Sequence, residues 1–404
     1  MKNYLETIRQ MVHLAKEKGI YPIAKNVDDQ PFPEIVIKGK AYLCLCSNNY
    51  LGLSVHPAVK QAAVEAVKRY GVGATESRLL AGNLTILEEL EAVIAEFKKA
   101  PKAAVFLSGF AVNLGVIPVL FGYKDKYGLS AGKKDRPGVI IKDALCHQSI
   151  LDGCRLNPCQ KETFRHNDMD HLEELLKKHD DHDKLIITDG IFSVDGDFAP
   201  LPDIVRLARK YDAITYLDDA HGTAVLGENG RGTPEYFGVE GEIDFTMGSL
   251  SKGVGCLGGY ITAAEDLIDG IKRMADTFMF TSALPPEQVA AITTAFQIIR
   301  NQPELRARLW ENVAYLKNGL KSLGFNLINT DSQIIPVLIG DEQKTARVES
   351  MLFEEGILAM GIYWPATSMG KSRIRCSVMA THTHEQIDKA LAAFETVGRR
   401  AGLI

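Results

Sequence analysis

Lys184-Leu185-Ile186-Ile187-Thr188, followed by Pro202-Asp203-Ile204-Val205-Arg206-Leu207-Ala208-Arg209-Lys210-Tyr211 and then by Ala213-Ile214-Thr215-Tyr216-Leu217, is the stretch that decides the fold. The outer pieces are short and mostly apolar, as strands buried on both faces are. The middle piece sets Ile204, Val205, Leu207 and Ala208 among charged residues, so it reads as an amphipathic helix. The same alternation continues on both sides, with apolar runs at 103–107, 139–142, 245–248 and 258–262 and a further helical stretch over 168–178. Strand–helix alternation over so long a span predicts an α/β fold whose large, mostly parallel sheet is covered by helices on both faces.

Outward from this centre the pattern changes. Residues 1–20 read as a helix with Tyr4, Ile8, Met11, Val12 and Ala15 on one stripe, and a short strand pair follows at 34–37 and 42–45 around Gly39. Segment 122–138 is polar and reads as a surface insertion. After Pro285-Pro286 comes a long helical stretch. From about residue 300 helices alternate with short strands such as 334–338 and 373–378, which suits a smaller α+β domain. The expected division is an N-terminal helix with short strands over 1–50, a large domain over 51–290 and a small C-terminal domain over 291–404.

A chain of 404 residues is too long for one ordinary core, which agrees with that division. With 46% hydrophobic and 24% charged residues it is globular in composition, and its net charge of −5, without a Lys/Arg stripe, gives no reason to expect nucleic acid. No apolar run approaches the roughly 20 residues of a membrane span, and the first residues lack the apolar stretch of a signal peptide. Seven cysteines, odd in number and without a CxxC pair, point to reduced thiols in a cytoplasmic protein rather than to disulfides or a zinc site.

Four pieces carry chemistry, each placed after an apolar run. In Gly248-Ser249-Leu250-Ser251-Lys252-Gly253 a lysine among small residues can reach a bound aldehyde, and shielding from water lowers its amine's pKa as Schiff-base chemistry needs. The hydroxyls of Ser249 and Ser251 could hold a phosphate. In Tyr216-Leu217-Asp218-Asp219-Ala220-His221-Gly222 a carboxylate at a strand end faces the ligand edge of an open sheet. Adjacent acids point opposite ways, and Asp218 is the one expected to pair with a protonated pyridine; a metal-binding Asp-Asp-Ala-His is the rival reading. In Leu107-Ser108-Gly109-Phe110-Ala111 a glycine turn opens a helix whose free N–H groups cradle a phosphate. His147, in Asp143-Ala144-Leu145-Cys146-His147, could stack on a cofactor ring. The run Gly227-Glu228-Asn229-Gly230-Arg231-Gly232 lacks the spacing of a dinucleotide fingerprint and reads as a loop.

Together these pieces resemble the α-oxoamine synthases, a pyridoxal-phosphate family of fold type I, aspartate-aminotransferase-like enzymes. The resemblance runs from Ser47-Asn48-Asn49-Tyr50-Leu51-Gly52-Leu53 to His382-Thr383. It is most specific in Phe164-Arg165-His166-Asn167-Asp168, Asp189-Gly190-Ile191-Phe192-Ser193-Val194-Asp195-Gly196-Asp197, residues 218–232 and 247–255, and Thr281-Ser282-Ala283-Leu284-Pro285-Pro286. It implies pyridoxal 5′-phosphate as cofactor, condensation of a small amino acid (glycine, alanine or serine) with an acyl-CoA or acyl carrier protein thioester, usually with loss of CO₂, and a homodimer with shared active sites. It implies Lys252 as the Schiff-base lysine, Asp218 as partner of the ring nitrogen, His147 stacked on the ring, and His221 and Ser193 beside its phenolic oxygen. Gly109, Phe110 and Ser249 are implied at the phosphate, with Thr281 or Ser282 reaching it from the other subunit. Asn49, Ser77 and Arg375 are implied at the substrate, the last gripping its carboxylate.

Among the branches, the Ser77-Arg78 region and the Ala283–Pro286 stretch look most like the oxononanoate synthases. Pro365-Ala366-Thr367 and Arg375-Cys376-Ser377 lean toward the serine palmitoyltransferases, and residues 189–197 also suit the ketobutyrate ligases. A fold type I aminotransferase or aldolase is the alternative from another reaction class. Leu87, Glu76 and Tyr363 depart from the family pattern; Glu76 either is a solvated loop carboxylate or projects into the substrate pocket.

Overall fold

The computed structural model describes residues 2–17, 24–121, 136–328 and 330–404. The polar segment expected as a surface insertion lies, up to residue 135, outside them. The chain opens with α1 (Lys2–Glu17), β1 (Glu34–Ile37), β2 (Lys40–Cys44), α2 (Pro57–Tyr70) and α3 (Thr85–Phe97). The central part runs β3 (Lys102–Phe106), α4 (Gly109–Val116), β4 (Gly138–Asp143), α5 (Gln148–Leu156), β5 (Gln160–Phe164), α6 (Met169–Lys178), β6 (Asp183–Asp189), α7 (Leu201–Lys210), β7 (Ala213–Asp218), α8 (Thr233–Tyr236), β8 (Phe245–Ser249) and β9 (Gly259–Ala263). Then follow α9 (Glu265–Met274), α10 (Asp276–Met279), α11 (Pro286–Asn301), α12 (Glu304–Ser322), β10 (Ile334–Gly340), α13 (Glu342–Glu354), β11 (Ile357–Leu358), β12 (Met360–Ile362), β13 (Ser372–Ser377) and α14 (His384–Arg400).

The central sheet has seven strands in the order β3-β9-β8-β7-β6-β4-β5. Only β9 runs against the rest, pairing antiparallel with both β3 and β8. Alternation of side chains along each strand feeds two layers. Ile186 and Leu217 pack with α6 and α7 on one face, while Leu185, Ile187 and Tyr216 pack with α4, α5 and α9 on the other. Helix α7 shows why its sequence is helical: Leu201, Ile204, Val205, Leu207 and Ala208 are buried while its charged residues stay outside. β5 carries no apolar run. It is an edge strand, with Gln160, Lys161 and Thr163 exposed and only Phe164 buried, so it needs no apolar signature.

The C-terminal part forms a three-stranded antiparallel sheet, β10-β13-β12. β11 pairs in parallel with β2, so the strands at 34–44 hydrogen-bond to the C-terminal part of the chain. This brings the turn after β2 alongside β13: the Leu45 carbonyl accepts from the Ser377 N–H at 2.7 Å.

Candidate active site

β7 ends at Asp218 and its neighbour β6 ends at the register partner Asp189. β8 ends at Ser249, three residues before Lys252; β4 ends at Asp143, four before His147; β3 leads into α4 at Gly109. These strands share one direction, so their carboxyl ends gather the side chains at one edge of the sheet, where open α/β sheets bind ligands.

Lys252 is partly buried on a turn closed by the Gly255 N–H donating to its carbonyl at 2.9 Å. Gly255 holds φ +75°, and a Cβ there would lie 2.7 Å from Ser54 N and 2.9 Å from Asn49 Oδ1, so only glycine lets this turn rest on the 49–54 turn. Burial pulls the Lys252 ammonium down to about 8 against the attraction of Asp218, and the Arg375 charge adds to the lowering. An amine so placed is a nucleophile near neutral pH.

Asp218 is 5% exposed and fixed at both oxygens: Oδ2 accepts from Asn113 Nδ2 at 2.8 Å and Oδ1 from the Ala220 N–H at 3.1 Å. Asn113 is itself locked, accepting from the Tyr216 hydroxyl at 2.7 Å and donating to Ser149 Oγ at 2.9 Å. Asp189 accepts from the His147 N–H at 3.1 Å, and burial, then the Asp218 charge, push its carboxyl well above the usual carboxylate range. Two acids at neighbouring strand ends thus form a pair that resists a second negative charge and favours an incoming cation. Asp219 belongs to a different network. Its Oδ2 takes an ion pair from Lys98 Nζ at 2.9 Å and its Oδ1 accepts from Thr233 Oγ1 at 2.7 Å, while His221 Nδ1 lies 2.7 Å from the Tyr50 hydroxyl. The Asp-Asp-Ala-His stretch is therefore not one ligand set, and among the described residues no group of three or more His, Cys, Asp or Glu could hold a metal.

Ser108 caps α4 by accepting from the Ala111 N–H at 3.1 Å. A Cβ on Gly109 would stand 3.2 Å from Ser249 Cβ and 3.3 Å from Met247 Cε, so the bare glycine leaves a notch between the helix start and Ser249, whose Oγ lies 2.8 Å from Ser251 Oγ. A helix N-terminus beside two hydroxyls is an anion cradle. Phe110 meets the exposed His147 ring edge-on at 6.5 Å. His221 is 4% exposed; burial, then the Lys252 and Arg375 charges, hold its imidazole well below its ordinary value, so the ring is neutral. From β13, Arg375 donates through Nε to the Ser193 carbonyl at 2.6 Å, through Nη1 to Ser377 Oγ at 3.1 Å and through Nη2 to Asn48 Oδ1 at 3.2 Å.

The structure thus brings Lys252, Asp218, His147, His221, Gly109, Phe110, Ser249, Ser193 and Arg375 to one region. Asn49 is placed differently from the expectation. Its amide donates to Ser54 Oγ at 2.8 Å, so it is used within its own turn, and Asn48 is the asparagine that meets Arg375. Thr281 and Ser282 share a small cleft with Arg78, Phe278 and Leu284, and Lys252 is not part of its lining. Ser77 is buried, its N–H taken by the carboxylate of the exposed Glu76 at 2.8 Å. Leu87 is a fully buried core residue, and Tyr363 donates to Glu349 at 2.5 Å. The sequence reading missed Asp189, Asn113, Asn48 and Tyr50. Asp189 shares the strand-end position of Asp218, and Asn113 lies one turn beyond Gly109 on α4; those spacings were the available signals.

Residues 40–394 match the family described as aminotransferase class I and II. The chain belongs to that family, in its α-oxoamine synthase branch. It is 44% identical over 402 residues to the 8-amino-7-oxononanoate synthase of Thermoanaerobacter pseudethanolicus, covering 99% of this chain and 98% of that protein. To the enzyme of the same name from Alkaliphilus metalliredigens it is 42% identical at the same coverage. Among solved structures, a serine palmitoyltransferase from S. paucimobilis with bound PLP-myriocin aldimine superposes with a TM-score of 0.92 at 33% identity, covering 100% of this chain and 99% of that one. As an α-oxoamine synthase the chain is a PLP-dependent acyltransferase of fold type I. No helix among its described residues is long and apolar enough to cross a membrane.

Proposed function

We propose that this α-oxoamine synthase joins a small amino acid to an acyl thioester in the manner of an 8-amino-7-oxononanoate synthase, with Lys252 as the residue that holds pyridoxal 5′-phosphate. The observation that carries this reading is the convergence of a lowered amine at Lys252, a fixed carboxylate at Asp218 and the notch at Gly109. These are the three contacts that an aldehyde, a pyridine nitrogen and a phosphate on one molecule require. When bound, the cofactor supplies an aldehyde for the amine and a ring that accepts electrons released at the amino acid's α-carbon.

The chain's own residues supply the rest. Asp218, held by Asn113, would keep a proton on the ring nitrogen, and the resistance of the Asp189–Asp218 pair to a second charge favours that cation. His147 would lie against the ring and His221 beside its oxygen. Gly109, Phe110 and Ser249 would take the phosphate. Arg375, braced by Asn48 and the Ser193 carbonyl, would grip the substrate carboxylate and set the α-carbon's bonds for proton removal by the Lys252 amine. Exposed Val72 (76%), Leu80 (72%) and Phe280 (74%) favour a second copy of the chain over this side, which is where Thr281 and Ser282 would serve the partner's phosphate.

The test is a panel of glycine, alanine and serine, each with acetyl-, pimeloyl- and palmitoyl-CoA, followed by thiol release. Alanine with pimeloyl-CoA is the expected pair. Serine with palmitoyl-CoA would favour instead the reading suggested by the 0.92 TM-score to serine palmitoyltransferase. Conversion of the cofactor to its amine form without thiol release would turn the assignment to a transaminase.

A further inference from the structure

The turn that carries Asn48 begins with two cysteines. Cys44 closes β2 and Cys46 follows after a bend, and their Sγ atoms lie 3.9 Å apart. Cys44 is 3% exposed and Cys46 is partly exposed. The hydrogen bond from Cys46 holds the Cys44 thiol down at about 7, so the pair readily gives up one proton. Cys376 lies behind them on β13, pushed up to about 12 by burial, and stays a thiol.

We propose that Cys44 and Cys46 are a reversible oxidation site whose disulfide loosens the grip of Arg375 on the substrate carboxylate. The backbone decides where the strain of closure falls. Sulfurs 3.9 Å apart must approach to about 2.05 Å to bond. Cys44 is pinned by its N–H to the Pro33 carbonyl at 2.9 Å, and Leu45 by its N–H to Leu358 at 2.8 Å and its carbonyl to Ser377 at 2.7 Å. On the far side, Asn49 is anchored by its side chain on Ser54 and by its carbonyl, which accepts from the Gly52 N–H at 2.8 Å. The displacement therefore falls on residues 46–48. Asn48 Oδ1 is the acceptor shared by Arg375 Nη2 and the Tyr50 hydroxyl, both at 3.2 Å, and Tyr50 continues to His221 at 2.7 Å.

The chemistry needs an oxidant of the hydroperoxide class. The Cys44 thiolate, which Cys46 stabilises while its own thiol is pushed up, attacks the peroxide oxygen and becomes a sulfenic acid, releasing one water after proton uptake. The Cys46 sulfur then attacks Cys44 and expels the second water, so two thiols lose two hydrogens and one hydroperoxide becomes two waters when it is hydrogen peroxide.

The inference rests on the reading of Arg375 as the carboxylate holder, and the experiment separates the two. The holoenzyme is treated with hydrogen peroxide, alkylated and analysed by peptide mass. The expected result is a loss of about 2 Da on the peptide bearing Cys44 and Cys46. KM for the amino acid should rise about fivefold or more, with kcat and the cofactor absorbance little changed, and dithiothreitol should reverse it. Cys46→Ser should match the untreated enzyme and ignore peroxide, whereas Cys376→Ser should respond as the parent does. Absence of the disulfide overturns the proposal. So does a disulfide that leaves KM unmoved in an enzyme whose Arg375→Lys variant does raise KM, an outcome that leaves the grip reading standing; if Arg375→Lys is also without effect, both fall.

Discussion

Two lysines withdrawn from water lie on either side of the Asp218-Asp219 pair, and they are put to opposite uses. Lys98 has a side chain 4% exposed and an ion pair to Asp219 at 2.9 Å, and it also donates to the Arg231 carbonyl. Burial alone would lower its ammonium, but the Asp219 charge overrules burial and raises it. Lys252 feels Asp218 only as a neighbouring charge, because Asp218 is already occupied by Asn113 and the Ala220 N–H. Burial then wins and its amine falls to about 8. The difference is one of partners rather than depth: a carboxylate given directly to the lysine makes a clamp, and a carboxylate held by an amide leaves the lysine free to react.

The comparison breaks most visibly at Lys252. Lys252→Ala should lower turnover by at least about a thousandfold, and borohydride reduction of the parent enzyme should fix the cofactor to the Lys252 peptide alone. Label on the Lys98 peptide would reverse the assignment. Lys98→Met, in contrast, should cost about 3–5 kcal/mol of stability, because it leaves Asp219 buried without its cation. Denaturant midpoints would measure this, and the folded fraction should still bind cofactor. Unchanged stability with lost turnover would make Lys98 a member of the site.

Asp218→Asn sharpens the contrast from the acid side. The variant should keep cofactor on Lys252 but exchange the substrate α-proton into deuterated water about a hundredfold more slowly. Exchange at the parent rate would remove Asp218 from this role and return attention to Asp189.

Much of this was legible in the sequence because strand ends are marked by composition. Lys252, Asp218, His147 and Gly109 each follow an apolar run, and a parallel sheet brings such positions to one edge whatever the loops do. What was not legible depended on which way a side chain turns or on distant contacts. Asn48 and Asn49 are the same residue type one position apart, and only the Ser54 contact and the approach of β13 tell them apart. Lys98-Lys99 looks like a solvated helix end; the partner that buries Lys98 lies 121 residues away. β5 escaped because an edge strand can be polar, and Asp189 because its pairing with Asp218 exists only in the register of β6 on β7.

The smallest effect, and the one that tests the mechanism of the contrast, is in pH. In the cofactor-free enzyme the Lys252 amine, as the proposed holder of pyridoxal 5′-phosphate, would capture it, and only its neutral form would attack. The capture rate should climb about tenfold per pH unit below the titration and level off above pH about 8. Stability should tilt with it. Lys252 has a folded-state pKa below the ordinary 10.5, so between about 8 and 10.5 the unfolded chain binds more protons and stability contributed at this site rises with pH. Lys98 has the opposite sign. Its folded-state pKa lies above the ordinary 10.5, so its contribution is whole below that value and is lost only in strong alkali. Stopped-flow uptake of cofactor and denaturation of the cofactor-free protein across pH 7 to 10 would read both. A capture rate still climbing tenfold per unit at pH 10 would mean that Lys252 titrates as an ordinary lysine, and burial would no longer explain why it, rather than Lys98, is the reactive one.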